Sequence, residues 1–161
     1  MGKANFVPKF GAISLAQQAG RMASKFPQLR FRLDRNTAIW TGYWLPSPLS
    51  DTYQLRISCQ LPRRPKIQII SPQLKLAAGK TKLPHVYKEG QLDICVHRPE
   101  EWNKHLYIAD TIMPWISQWL RFYEYWEQTG NWEGKGTHPE NTSHRSREDP
   151  AQAERDGKER T

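Results

Sequence analysis

The sharpest chemistry in this 161-residue sequence sits at Cys95, within Gly90-Gln91-Leu92-Asp93-Ile94-Cys95-Val96-His97. Side chains alternate along an extended segment, so Asp93, Cys95 and His97 share one face there, while Ile94 and Val96 point to a core. A charged His97 beside the thiol favours the thiolate, the nucleophilic form of cysteine. Asp93 opposes that effect and is better suited to orienting an incoming amine. An inert reading stands beside the reactive one, because free cysteine is among the most buried residue types. The local pattern leaves both open.

The remaining candidates are weaker. Cys59 falls in phase with Leu55 and Ile57, the position of a core cysteine. His85, in Leu-Pro-His-Val-Tyr, suits either a structural bond to backbone or direct participation in chemistry. His105 is expected to begin a long helix and to do no chemistry, and His138 and His144 lie in a polar tail. The two cysteines match no zinc spacing and no disulfide framework. Ala77-Ala78-Gly79-Lys80-Thr81 ends like a phosphate-binding loop, but Leu74 stands where its first glycine belongs. No serine nucleophile elbow and no paired metal ligands occur. The expectation is a cysteine site with no metal and no cofactor.

The elements that must position Cys95 follow from periodicity. Residues 13–26 read as a helix capped by Ser14 and stopped by Pro27, with a stripe of Ile13, Ala16, Gln17, Gly20, Met22 and Ala23. Four strands follow, Leu29–Asp34, Ala38–Leu45, Tyr53–Leu61 and Lys66–Ile70, joined by hairpin-length turns. An irregular stretch from Ser71 to Trp102 holds one short extended piece, Leu92–Val96. A loop this long in a compact domain is usually functional. Then Ile108, Ile112, Trp115, Ile116, Trp119, Phe122, Tyr123 and Trp126 recur at helical spacing. Pro114 marks a kink or a new first turn, and Thr129-Gly130 a stop. The fold class is α+β, with helices packed on an antiparallel meander.

Composition divides the chain into a folded domain, 1–133, and a polar tail, 134–161, whose lack of large apolar residues predicts disorder. The net charge of +8 is unevenly spread: residues 1–104 carry 17 Lys and Arg against 6 acids, residues 105–133 sum to −3, and the tail is neutral. A basic front half suits nucleic acid, an acidic protein partner or plain solubility. The aromatics concentrate in the acidic final helix rather than among the basic residues, so nucleic acid is not the expected partner. There is no apolar run of transmembrane length and no secretory signal, which predicts a cytoplasmic protein with no membrane partner.

Arg64-Pro65-Lys66-Ile67, Pro84-His85-Val86-Tyr87, Gly90-Gln91-Leu92, Cys95 and Trp102, followed by a long helix, resemble the ubiquitin-conjugating enzyme family over about residues 12–130. Tyr107 to Leu120, Tyr123-Glu124 and Thr129-Gly130-Asn131-Trp132 look like the short, stand-alone prokaryotic members encoded in CBASS antiphage operons. The resemblance implies a ubiquitin-conjugating-enzyme-like fold. It implies that Cys95 forms a thioester with the C-terminus of a cGAS-like nucleotidyltransferase and passes it to a target lysine. His85, Asp93 and His97 would support the reaction, and Trp102 would pack under the loop. Three departures accompany it. The asparagine of the family's His-Pro-Asn motif is missing, since the order here is Pro84-His85-Val86. An ungapped match on Gly90 puts Asp93 at the nucleophile position, and the family's usual C-terminal helices have no counterpart. The missing asparagine and the shifted cysteine favour a second reading, an inactive adaptor of the same fold that binds the nucleotidyltransferase.

Overall fold

The computed structural model describes residues 11–87 and 93–134. Helix α1 spans Leu15–Lys25. Ser14 accepts the Gln17 amide at 3.2 Å while Gln17 Oε1 accepts the Ser14 amide at 2.9 Å, which satisfies two groups at the helix start. Strands β1 (Arg30–Asp34), β2 (Thr37–Trp44), β3 (Tyr53–Cys59) and β4 (Lys66–Ser71) form an antiparallel sheet in the order β1-β2-β3-β4. Helix α2 spans Ile112–Thr129 and ends at Gly130, whose φ of 74° is the left-handed conformation that stops helices. The described residues are thus α+β, with a four-stranded meander between two helices in sequence.

The core lies on one face of the sheet. Tyr53, Leu55, Ile57 and Cys59 of β3 are buried and alternate with half-exposed Gln54, Arg56 and Ser58. Across the ladders Trp40 faces Ile57, Ala38 faces Cys59, and Ile67 and Ile69 face Ile57 and Leu55. Ile112, Met113, Ile116, Trp119, Leu120, Tyr123 and Trp126 of α2 join the same cluster. Two polar ties fix the helix on the sheet: Trp44 Nε1 donates to Ser117 Oγ at 2.8 Å, and Tyr53 Oη donates to Glu124 Oε1 at 2.9 Å.

Three expectations need correction. The buried residues of α1 are Gln18 and Met22, with Leu15, Ala19 and Phe26 packed beside them, whereas Ala16, Gln17, Gly20 and Ala23 are exposed. The stripe is displaced because a glutamine can face the interior when its amide is satisfied. Gln18 Nε2 donates to the Leu106 carbonyl at 2.8 Å, and Gln18 Oε1 accepts the Ile108 amide at 2.9 Å.

The second correction follows from those same bonds. The backbone around Ile108 is held by Gln18 instead of by a helix ladder, so α2 begins at Ile112 and His105 lies in an exposed turn before it. Pro114 falls in the first turn of α2, where its missing N–H costs nothing. Third, β1 buries neither of its faces: Phe31 and Leu33 are 47% and 55% exposed. Phe31 still reaches Trp40, with ring centroids 5.6 Å apart, at the fringe of the core face. β1 is an edge strand, paired on one side only.

Candidate functional site

The segment carrying Cys95 is anchored by two isolated bridges, Gln68 with Asp93 and Val86 with Ile94. The Ile94 amide donates to the Ile67 carbonyl at 3.0 Å, which hangs this short piece on β4. Ile94 is 1% exposed and anchors it in the core, as alternation predicts. Leu92, the expected start of the extended piece, lies outside the described residues.

Opposite Cys95 runs the segment from Pro84 to Tyr87. Tyr87 N donates to the Asp93 carbonyl at 2.9 Å, and Cys95 N donates to the His85 carbonyl at 2.8 Å. With Val86 paired to Ile94, residues 85, 87, 93 and 95 have their side chains on the other face of this ribbon. His85 reaches its place with φ of +50°, a conformation uncommon for a non-glycine residue. Its carbonyl also accepts the Trp119 indole N–H at 3.2 Å. One carbonyl oxygen therefore fastens the Cys95 backbone to α2.

Cys95 is half-buried, and its thiol donates to the His97 carbonyl at 3.4 Å. It opens into a cavity of about 370 Å³. His85, His97, Arg98 and Gln118 supply polar lining, and Trp115, Trp119, Phe122 and Trp132 supply the apolar wall. Trp132, beyond the end of α2, folds back over this wall. Its ring lies 4.8 Å from that of His85, 5.6 Å from Trp119 and 5.7 Å from Phe122. The cavity is large enough for a short peptide end or a lysine side chain, and its floor carries the one described thiol that is not fully buried.

The expected site residues divide into two groups. His85 and His97 line the cavity with Cys95. The His97 ring does not meet the thiol. Its Nδ1 lies 2.6 Å from the Arg98 carbonyl, and it packs between Trp102 and Trp115 at 6.5 and 5.5 Å. Trp102 is 5% exposed, in the core directly after a short 3-10 turn, Pro99–Glu101.

Asp93 is turned elsewhere. Its carboxylate takes a two-pronged contact from Arg64, at 3.3 and 2.7 Å, and the Ile67 amide at 3.2 Å. A carboxylate that buried is held by its charge partner, so it braces β4 instead of facing the cavity.

Sequence reasoning passed over Arg64 and Tyr87 as site residues. The Arg64 guanidinium sits 3.5 Å over the Tyr87 ring. Burial works against its charge, but the hydrogen bond to Asp93 and the negative groups around it more than offset this, and its pKa is raised. The Tyr87 phenol is raised well above its usual value, first by burial and then by the neighbouring Cys95 thiol. Pro84-His85-Val86-Tyr87 was visible as a motif, but the nearness of Tyr87 to Cys95 depends on the Val86–Ile94 pairing, which no local pattern announces. Among the described residues no three His, Cys, Asp or Glu side chains are grouped to hold a metal ion. No described helix is long and apolar enough to cross a membrane.

The family model for type II CBASS E2 proteins matches residues 18–139. That span covers the sheet, the Cys95 segment and α2, and the chain belongs to this family. It is an E2-like protein of CBASS antiphage defence. Comparison with curated proteins gives no match.

Proposed function

We propose that this chain is a cysteine-dependent conjugating enzyme with a ubiquitin-conjugating-enzyme-like fold, and that Cys95 carries the acyl group. The observation that supports this best is the half-buried Cys95 thiol at the floor of a cavity of about 370 Å³ between its segment and α2. Free cysteines that are merely structural are shut in the core, as Cys59 is at 0% exposure.

The Cys95 sulfur attacks the activated C-terminal carbonyl of the cGAS-like nucleotidyltransferase. The sulfur–carbon bond forms and the activating group leaves. A lysine amine of the target then attacks the thioester; the carbon–nitrogen bond forms, and the electron pair of the carbon–sulfur bond returns to Cys95. His85 and His97 line the cavity, which supports a role for them in taking up the amine proton. Asp93 supports the reaction indirectly, by holding the backbone of its own segment. Trp102 supports it from beneath the loop. The functional unit is residues 1–133, with 134–161 as a polar tail that lies outside the described residues apart from Gly134. The reaction takes place in the cytoplasm and needs no cofactor.

The test is intact mass of the chain co-expressed with its partner nucleotidyltransferase, without reductant. A thiol-labile adduct is expected on the wild type. It is absent in Cys95→Ala and becomes an ester, labile to hydroxide, in Cys95→Ser. Binding of the partner with no adduct, together with conjugation in cells that survives Cys95→Ala, replaces this reading with the adaptor one.

A further inference from the structure

We propose that the outer face of the sheet binds single-stranded nucleic acid, with Tyr43 as a stacking platform and Arg30, Arg32, Arg56 and Lys66 as phosphate contacts. This site is separate from the Cys95 cavity and does not depend on the conjugation reading.

Alternation decides which side chains meet there. Trp40, Leu55, Ile57 and Ile67 point to the core, so their neighbours in sequence point outward. Strand pairing then sets those neighbours side by side. Arg30 faces Thr41, which faces Arg56. In the next row Arg32 faces Ile39, which faces Ser58, which faces Lys66. On the other side of the Arg30 row, Tyr43 faces Gln54. Tyr43 is thus a diagonal neighbour of both Arg30 and Arg56, within reach of such long side chains. Along the sequence the aromatics concentrate in α2, away from the basic residues. Across the sheet, Tyr43 stands among them.

The face is left unsatisfied. Arg30, Arg32 and Lys66 are exposed and Arg56 is half-buried. Among the described residues none of the four pairs with an acid. Asp34, at the far end of β1 and opposite Thr37, carries the opposing charge on this face and can offset one cation at most. Like charges gathered on one sheet face repel and cost stability, and a polyanion removes that cost. Arg30 and Arg32 stand about 7 Å apart along the strand, comparable to neighbouring phosphates in an extended nucleic acid. Arginine suits such a partner, since its planar guanidinium matches phosphate oxygens. Tyr43 is 66% exposed and stacks on no other ring among the described residues. An open sheet presents no helix to a duplex groove, but it suits unpaired bases that can lie on an aromatic ring. An acidic peptide would answer the charges and leave that ring unused. α2 packs on the opposite, core side, where Cys95 opens into its cavity.

The test is fluorescence anisotropy of the full chain with short labelled oligouridine and oligothymidine, titrated with salt. The wild type is expected to bind, with log affinity falling against log salt at a slope of about three for four phosphate contacts. Arg30→Glu combined with Lys66→Glu should weaken binding about 10-fold or more at about 50 mM salt and cut the slope by about half. Tyr43→Ala should weaken it about 5-fold or more and leave the slope as it is. Thermal unfolding midpoints should stay unchanged, because all three side chains are exposed. Cys95→Ala should bind as the wild type does. A preference for oligouridine adds contacts to the 2′-hydroxyl, and equal binding means recognition of phosphates and bases alone; both support the proposal. No binding to either oligonucleotide overturns it. So does binding that survives the double charge reversal, which places the site on another basic segment. Binding indifferent to Tyr43→Ala overturns it too, and equal competition by polyglutamate would then mark the face as a dock for an acidic protein.

Discussion

The Cys95 amide donates to the His85 carbonyl at 2.8 Å, and the same oxygen accepts the Trp119 indole at 3.2 Å. The candidate nucleophile is therefore held by backbone to a residue that is itself held by α2. Its position depends on helix packing as much as on its own loop.

That three-way junction should be felt when the indole is removed. Trp119 is 3% exposed. Trp119→Phe forfeits one buried hydrogen bond and leaves part of the ring's volume unfilled. The expected cost is about 2 kcal/mol, read from urea unfolding, together with faster amide exchange at Cys95. Unchanged exchange at Cys95 would show that its backbone does not need α2.

The buried amide of Gln18 sets two opposing effects against each other. Gln18→Leu adds apolar surface to a fully buried site, worth about 1 kcal/mol in favour. It also strands the Leu106 carbonyl and the Ile108 amide, which Gln18 now pairs at 2.8 and 2.9 Å. Each stranded buried group costs about 1–3 kcal/mol, so the loss should win by roughly 2 kcal/mol. A variant more stable than wild type in urea would mean that water or a shifted turn satisfies both groups.

These junctions explain what was legible in the sequence and what was not. All four strands fall within about two residues of their expected bounds, and the Ser14 cap and Gly130 stop are where their residue types put them. Alternation and helix caps are local signals. The corrections arise where a distant partner decides. Gln18 faces inward because of backbone 88 and 90 residues away. Phe31 and Leu33 remain exposed because β1 lies at the sheet edge. Asp93 does not line the cavity with Cys95, because Arg64, 29 residues earlier, claims its carboxylate. The cysteine itself could be picked out by residue type and loop context, but Arg64, Tyr87, Trp119 and Trp132 surround it only through tertiary pairing.

Asp110 makes an acid-sensitive tie. It pairs with Lys25 at 2.6 Å and Arg21 at 3.1 Å, joining α1 to the turn before α2. The hydrogen bonds from Lys25 and Arg21 hold its carboxyl below the usual value. A folded-state pKa below the unfolded one means stability that is fully present above the unfolded value and lost as pH falls through the folded one. The pair is exposed to solvent, so the effect is small and screened by salt. Asp110→Asn should therefore lower the urea midpoint slightly at pH 7 and low salt and leave it unchanged at a pH acid enough to protonate the carboxyl in the folded chain. An equal decrement at both pH values would assign the effect to packing instead of charge.

The two thiols should separate cleanly by reactivity. Burial pushes the Cys59 thiol up to about 11, so at pH 8 it is protonated as well as sealed from solvent. The thiolate is the reacting species, and Cys59 lacks both charge and access. Cys95 is half-buried and faces the cavity. Iodoacetamide at pH 8 should add one label to the native chain, at Cys95, and the second only in denaturant. Cys95→Ala should take none until it unfolds. If Cys59 is labelled in the native protein at the rate of Cys95, then β3 opens on the labelling timescale. A cavity shaped for one reactive sulfur would then be too loosely held to do the chemistry proposed for it.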